Sequence, residues 1–252
     1  MRIDLNADVG ESLGQWPMGD DAGLIPLVSS VNIACGFHAG DPRTIERTVA
    51  LAIRAGVAIG AHPGYPDLVG FGRRDMAMTS DDLEAAVVYQ VGALAAFARD
   101  AGTELLHVKA HGALYNRAAS DDATAEAVVR AARRVSTALI IIGPGASALQ
   151  TAAQTAGSPW AAEAFPDRAY EADGSLRSRL LDDALVLDPA TAAERAVRMV
   201  RDGEVVAVDG SVLRLSPATL CLHGDAPGAP ERAAAIRAAF TAAGIEVRAL
   251  GS

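Results

Sequence analysis

The sequence predicts an α/β fold in the form of a parallel β/α barrel. Short apolar runs alternate with helical patterns from one end of the chain to the other, and parallel strands need crossover connections of that kind. Almost every apolar run leads directly into ionisable or amide residues, which parallel strands would gather on one face. A barrel builds its site from many strand ends, whereas an open sheet binds mainly at one switch point, so contributions from so many strands favour the barrel. The chain has 252 residues, 50% of them hydrophobic and 21% charged, which suits a single barrel domain over residues 1–252 whose core needs neither disulfides nor metal staples.

Taken in order, strands are expected at Arg2–Leu5, Val31–Ala34, Ala58–Ala61, Leu105–Val108, Ala138–Ile142, Trp160–Ala164, Val205–Val208 and Thr219–Leu222. Helices are expected at Pro42–Ala55, Asp81–Ala101, Asp121–Val135, Ala146–Ala156, Pro189–Asp202 and Pro230–Ala243. Their starts carry Ser, Asp or Pro, and Gly56, Gly102, Gly157, Gly203 and Gly244 stand where helices stop. The stretch EVVAVDGSVLRL breaks the rhythm and reads as a hairpin turning at Asp209-Gly210. Pro166–Arg179 is charged and has no helical period, which marks a long functional loop.

A net charge of −9 and the absence of any basic cluster exclude nucleic acid as an expected partner. No apolar run is long enough to span a bilayer, and MRIDLNADVGE carries no signal-like leader, so a cytoplasmic protein without a membrane partner is expected. Cys35 and Cys221 are too few for a disulfide framework, and neither belongs to a CxxC pair.

The chemistry-bearing residues fall at the strand exits. Of 22 basic residues the only lysine is Lys109, although surface ion pairs accept Arg equally well. A compact ammonium with a shiftable pKa is what a guanidinium cannot copy, so Lys109 is a functional candidate. In DLNADVGES, Asp4, Asn6 and Asp8 alternate and point the same way while the strand lasts. His38, His62, His111 and His223 each follow an apolar run among Gly and Pro, residues that let a backbone approach a ligand and fix the loop presenting it. Imidazole and carboxylate suit zinc or manganese, and His38, His62, His111, His223 and Asp8 offer them. No HExxH or comparable spacing specifies such a site, and none is assigned.

Six segments, DLNADVGES, NIACGFHAGDP, AHPGYPDLVGFGRR, VKAHGALYN, AFPDRAYEADGSLRSR and CLHGDAPGA, resemble blocks of the LamB/YcsF family in the family's order, from Asp4 to about Pro227. One departure is Ala110, where the family's block usually has Pro before the His. The resemblance implies a seven-stranded barrel of the glycoside hydrolase/deacetylase type. It also implies opening of the 5-oxoproline lactam to L-glutamate coupled to ATP hydrolysis, in a complex with 5-oxoprolinase subunits B and C. The chain has no GxxxxGK[ST] loop, so ATP with Mg would be bound by, or shared with, those partners.

On the matching positions, Lys109 would stabilise charge developing on the substrate, His111 or His62 would be the general base, and Asp8 would orient it. Asn6 and Asn32 would bond the lactam amide, and Arg74 or Arg168 would hold the substrate carboxylate. His38, Glu163, His223 and Asp225 complete the expected substrate-binding set. Two other classes fit the same residues: a metal-dependent deacetylase or amidohydrolase acting alone, and a non-catalytic protein that binds substrate for its partners.

Overall fold

The computed structural model describes residues 1–252 and closes seven parallel strands into a barrel. These are β1 (Arg2–Val9), β2 (Ser30–Ala34), β3 (Ala58–His62), β4 (His107–Lys109), β5 (Ile140–Pro144), β6 (Trp160–Ala164) and a final strand, Thr219–His223. The final strand pairs with both β6 and β1, which closes the ring. The parallel-barrel expectation holds, with the helices packed around the outside.

Those helices are α1 (Asp21–Leu24), α2 (Pro42–Ala55), α3 (Ser80–Asp100), α4 (Gly112–Ser120), α5 (Asp122–Val135), α6 (Ala148–Thr155), α7 (Pro189–Arg201) and α8 (Ala229–Ala242). Asp41, Thr79, Asp121, Ser147 and Asp188 cap α2, α3, α5, α6 and α7 with their side-chain oxygens. The outward residues of the strands join these helices in a core of 52 buried apolar residues. No helix is long and apolar enough to cross a membrane.

Several expected boundaries move. Strand β1 runs four residues past Leu5, because Asn6 and Asp8 point into the barrel rather than into a loop. Leu105–Val108 gives way to His107–Lys109 for the same reason: the polar residues are the strand. The expected strand at Val205–Val208 lies outside the barrel, where β7 (Glu204–Val206) and β8 (Val212–Arg214) form a separate antiparallel hairpin; the last barrel strand is therefore β9. Helices α1 and α4 and the two-residue strand β10 (Glu246–Val247), which adds to the amino end of β1, lack a clear sequence period.

The interior of the barrel is polar. Asp4 accepts from Ser30 at 2.9 Å and Thr219 at 2.5 Å, and Asn6 donates to Thr219 at 2.6 Å and to Glu163 at 2.9 Å. His107 fills the same interior from β4, donating through Nε2 to Asn32 Oδ1 at 2.6 Å. Its ring occupies the volume beside Gly60 on β3, where a Cβ would come within 2.0 Å of Nε2. Gly60 is thus required by close approach, not by backbone conformation.

Candidate functional site

The carboxyl mouth of the barrel opens into a cavity of about 680 Å³. At its base Lys109, the last residue of β4, is only 2% exposed. Its Nζ lies 3.0 Å from Asp8 Oδ1, 3.1 Å from Glu163 Oε1, 2.8 Å from Cys221 Sγ and 5.3 Å from the centre of the Phe165 ring. Burial opposes the ammonium, but Asp8, Cys221 and Glu163 together hold its pKa well above the usual lysine value. For Asp8, burial would raise the pKa, yet the groups around it, the Lys109 ammonium among them, outweigh it and hold the carboxyl well below its usual value. Glu163 goes the other way: burial raises it and Lys109 only partly offsets the rise. The base of the cavity therefore holds a fixed ammonium and an ionised carboxylate in contact.

A second row keeps those groups in place. Asn32 donates to Asp8 Oδ1 at 2.8 Å and to Asn6 Oδ1 at 2.6 Å. Asn6 and Asn32 are completely buried beneath the cavity and do not line it, so their expected contact with a lactam amide gives way to a positioning role. Asp8 Oδ2 accepts no hydrogen bond and lines the cavity, 3.5 Å from His62 Nε2.

Three of the four strand-exit histidines meet. His62 Nδ1 donates to the Lys109 carbonyl at 2.8 Å, His111 Nε2 donates to the Phe71 carbonyl at 2.8 Å, and the remaining nitrogens, His62 Nε2 and His111 Nδ1, are 3.0 Å apart. His38 stacks on His111 with ring centres 3.8 Å apart. Glu11, which sequence reasoning missed, completes the group, 3.7 Å from His111 Nδ1 and 3.9 Å from His38 Nε2. One ligand atom from each of Glu11, His38, His62 and His111 lies within 4.8 Å of every other, so these four are the residues able to hold a metal ion. The loop carrying Phe71 packs closely on them: at Gly72, whose φ is +63°, a Cβ would stand 2.8 Å from both His111 and His38.

His223 stands outside that group. Its Nδ1 bonds Asp167, 3.0 Å away, and its ring stacks on Phe165 with centres 5.4 Å apart. Burial would raise the Asp167 pKa, but His223 holds it down to about 2. This orients the imidazole and leaves Nε2 for the cavity, which His223 lines.

The rim is basic. Arg73 donates to Asp225 at 2.6 Å, and Arg179 reaches the same carboxylate at 3.4 Å. Arg168, held by the Ala184 and Arg177 carbonyls through Nε and Nη2, presents a buried guanidinium to the cavity. Arg74, the other expected carboxylate ligand, pairs with Asp67 and is 65% exposed, which makes it the weaker of the two. Arg168, Arg177, Ser178 and Arg179 come from the long segment after β6, whose expected functional character matches its position over the cavity. Past Tyr115 and Phe165, whose rings meet edge to face, a second cavity of about 880 Å³ adjoins the first, with Glu163 in its wall.

Of the expected residues, the structure thus brings Lys109, Asp8, His62, His111, His223, Arg168, Arg74 and Asp225 to one cavity, with His38 and Glu163 directly behind. The missed residues are Glu11, Arg73, Cys221, Phe165, Asp167 and Arg179. Glu11 had a visible signal, since DLNADVGES continues the acidic series past the strand. Arg73 and Arg179 were hidden among 21 arginines.

A parallel β/α barrel with an enclosed ionisable site at its carboxyl mouth defines the class of this protein. The chain belongs to the LamB/YcsF family, whose model matches residues 3–252. It is 53% identical over 249 residues to the 5-oxoprolinase A subunit of Chloroflexus aurantiacus, covering 99% of this chain and 98% of that one. The 5-oxoprolinase A subunit of Methylococcus capsulatus is 54% identical over 249 residues, covering 99% and 96%. Among solved structures, the lactam utilization protein from Thermus thermophilus superposes with a TM-score of 0.94 at 48% identity, covering 99% of this chain and all of that one. A family 4 carbohydrate esterase from Streptomyces lividans shares the fold alone, with a TM-score of 0.51 at 9% identity over 98% of this chain and 91% of the esterase.

Proposed function

We propose that this chain is the lactam-opening component of an ATP-dependent 5-oxoprolinase, converting 5-oxo-L-proline to L-glutamate with ATP hydrolysed to ADP and phosphate. One observation carries the reading. The chain's only lysine is buried between two carboxylates at the base of a cavity rimmed by arginines, in a chain about half identical to proteins named as the A subunit of 5-oxoprolinase. An anionic substrate that develops further charge as it reacts fits such a cavity.

An unstrained five-membered amide is a poor electrophile, and a phosphoryl group transferred from ATP to its oxygen, as ADP leaves and the N–H proton passes to His223 Nε2, turns it into an imidate that water can attack. The chain has no phosphate-binding GxxxxGK[ST] loop, so nucleotide and Mg²⁺ are assigned to subunits B and C or to a site shared with them. Arg168 takes the substrate carboxylate, while Lys109, Arg73 and Arg179 face the phosphoryl oxygens. Water attacks the ring carbon and gives a proton to Asp8 Oδ2, which is ionised and free of donors. Asp8 replaces His62 and His111 as the base, because their unbonded nitrogens face each other.

Attack moves the C=N electron pair onto nitrogen, which takes a proton back from His223 Nε2, the ring being held by Asp167 through Nδ1. Collapse of the adduct breaks the C–N bond, with the new hydroxyl's proton passing to the amine. The resulting γ-glutamyl phosphate is hydrolysed to glutamate and phosphate. The test is glutamate release from 5-oxoproline, with and without ATP and with and without the partner proteins. ATP-dependent release only from the three-component mixture is expected, and ATP-independent release by this chain alone would overturn the reading.

A further inference from the structure

We infer that Glu11, His38, His62 and His111 form a binding site for one divalent transition-metal ion, with zinc the best match to their donor set. The first support is tautomeric. A carbonyl oxygen only accepts, so the Lys109 carbonyl fixes the proton of a neutral His62 on Nδ1, and the Phe71 carbonyl fixes that of a neutral His111 on Nε2. The two bare lone pairs then face each other across 3.0 Å, with Glu11 Oε1 3.7 Å from one and Asp8 Oδ2 3.5 Å from the other. Lone-pair-bearing atoms converge here, and a cation among them relieves that arrangement. Carbonyls that orient ligating imidazoles in this way are the usual outer shell of a metal site.

The second support is His38. It is 1% exposed and neither of its ring nitrogens has a hydrogen-bond partner, an expensive state for a buried imidazole. Its Nε2 is 3.9 Å from Glu11 Oε1. A proton shared between His62 and His111 would leave His38 and Glu11 without partners, whereas an ion among the four would engage His38 through one ring nitrogen and Glu11 through its carboxylate together with the other two imidazoles.

The spacing fits as well. Ligand atoms around a tetrahedral zinc at about 2.0–2.2 Å are roughly 3.4 Å apart, and the 3.0, 3.7 and 3.9 Å separations bracket that value. Three imidazoles and one carboxylate suit zinc, cobalt or nickel better than magnesium or calcium, which prefer all-oxygen shells. The ion would lie at the edge of the cavity that holds the proposed lactam site, but the inference does not depend on the reaction assigned there.

Zinc chloride titrated calorimetrically into the chelator-stripped full chain tests it, alongside the visible spectrum of the protein with cobalt(II) added. The expected result is saturable binding of about one zinc per chain and a tetrahedral cobalt spectrum. Glu11→Gln and His38→Ala should each weaken zinc binding by about 100-fold or more while wild-type circular dichroism is retained, and zinc should raise the melting temperature of the wild type only. Should His38→Ala fail to fold, Glu11→Gln and the cobalt spectrum carry the test. No saturable zinc binding, or equal binding by wild type and folded variants, would overturn the site. A zinc-binding chain without glutamate release would sink the lactam reading alone, and an active complex in which this chain binds no zinc would sink the metal site alone.

Discussion

Lys109→Arg keeps the positive charge and changes its shape, which makes it the most discriminating substitution in the cavity. The ammonium meets three groups at 2.8 to 3.1 Å, namely Asp8, Glu163 and Cys221, in a space where Lys109 is 2% exposed. An arginine side chain is two heavy atoms larger than lysine and ends in a planar group, so it cannot place one nitrogen among those three partners without displacing Cys221 or the Phe165 ring. Overpacking of that kind costs about 1–3 kcal/mol, a fall in melting temperature of roughly 2–12 °C for a chain of this size. The rate should suffer more, because one misplaced charge contact to a developing anion costs about 10²-fold to 10³-fold. Glutamate release by the reconstituted complex, measured beside thermal unfolding of the variant, separates the two effects. Turnover within about threefold of wild type in a folded variant would remove Lys109 from the chemistry, since no surface-like role accounts for its burial.

Asp8→Asn should lower turnover by about 10²-fold or more and leave the chain folded, because Glu163 still balances Lys109; retained activity across pH 6–9 would show that another group takes the proton. Gly60→Ala should destabilise by more than about 3 kcal/mol, since its Cβ would lie 2.0 Å from the His107 ring; a denaturant midpoint equal to wild type would contradict that packing. Burial, aided by the Lys109 charge, lowers the His107 pKa to about 3, so its neutral form is the folded one. The unfolded chain takes up a proton near pH 6.5 that the folded chain refuses, and stability should therefore fall by about 1.4 kcal/mol per pH unit between roughly pH 6.5 and 3. His107→Gln should flatten that part of the curve in denaturant titrations. Asp167, held down to about 2, acts in the same direction at lower pH, its contribution being complete above about pH 4 and lost as pH falls through 2.

What is legible in the sequence, and what is hidden there, both follow from the polar interior of the barrel. The alternation of strands with capped helices is readable because outward strand faces and helix stripes obey ordinary hydrophobic periods, as in Leu5, Ala7 and Val9 against the core cluster. The inward faces do not obey them. Asn6 and Asp8 on β1 and Lys109 on β4 look like strand exits when an apolar interior is assumed, and that assumption cuts β1 short and displaces β4. The same property makes the site easy to find, since the misjudged ends of β1 and β4 mark polar residues aimed into the barrel. Partnerships are harder to see than memberships. Nothing local pairs Asp167 with His223, 56 positions away, or tells Asn6 that it will hold Glu163 from 157 positions away rather than a ligand. Glu11 shows the limit best. It lies two residues past the end of β1, in the loop that Gly10 turns with φ +71°, and only closure of the ring brings β2, β3 and β4 around so that His38, His62 and His111 face it. A ligand set drawn from four successive strand ends has no fixed spacing, because each interval is set by the length of an intervening helix that has no part in the chemistry. A search for HExxH-like motifs therefore fails on such a site for a structural reason, while strand-end position, which the histidines and Lys109 share, remains readable.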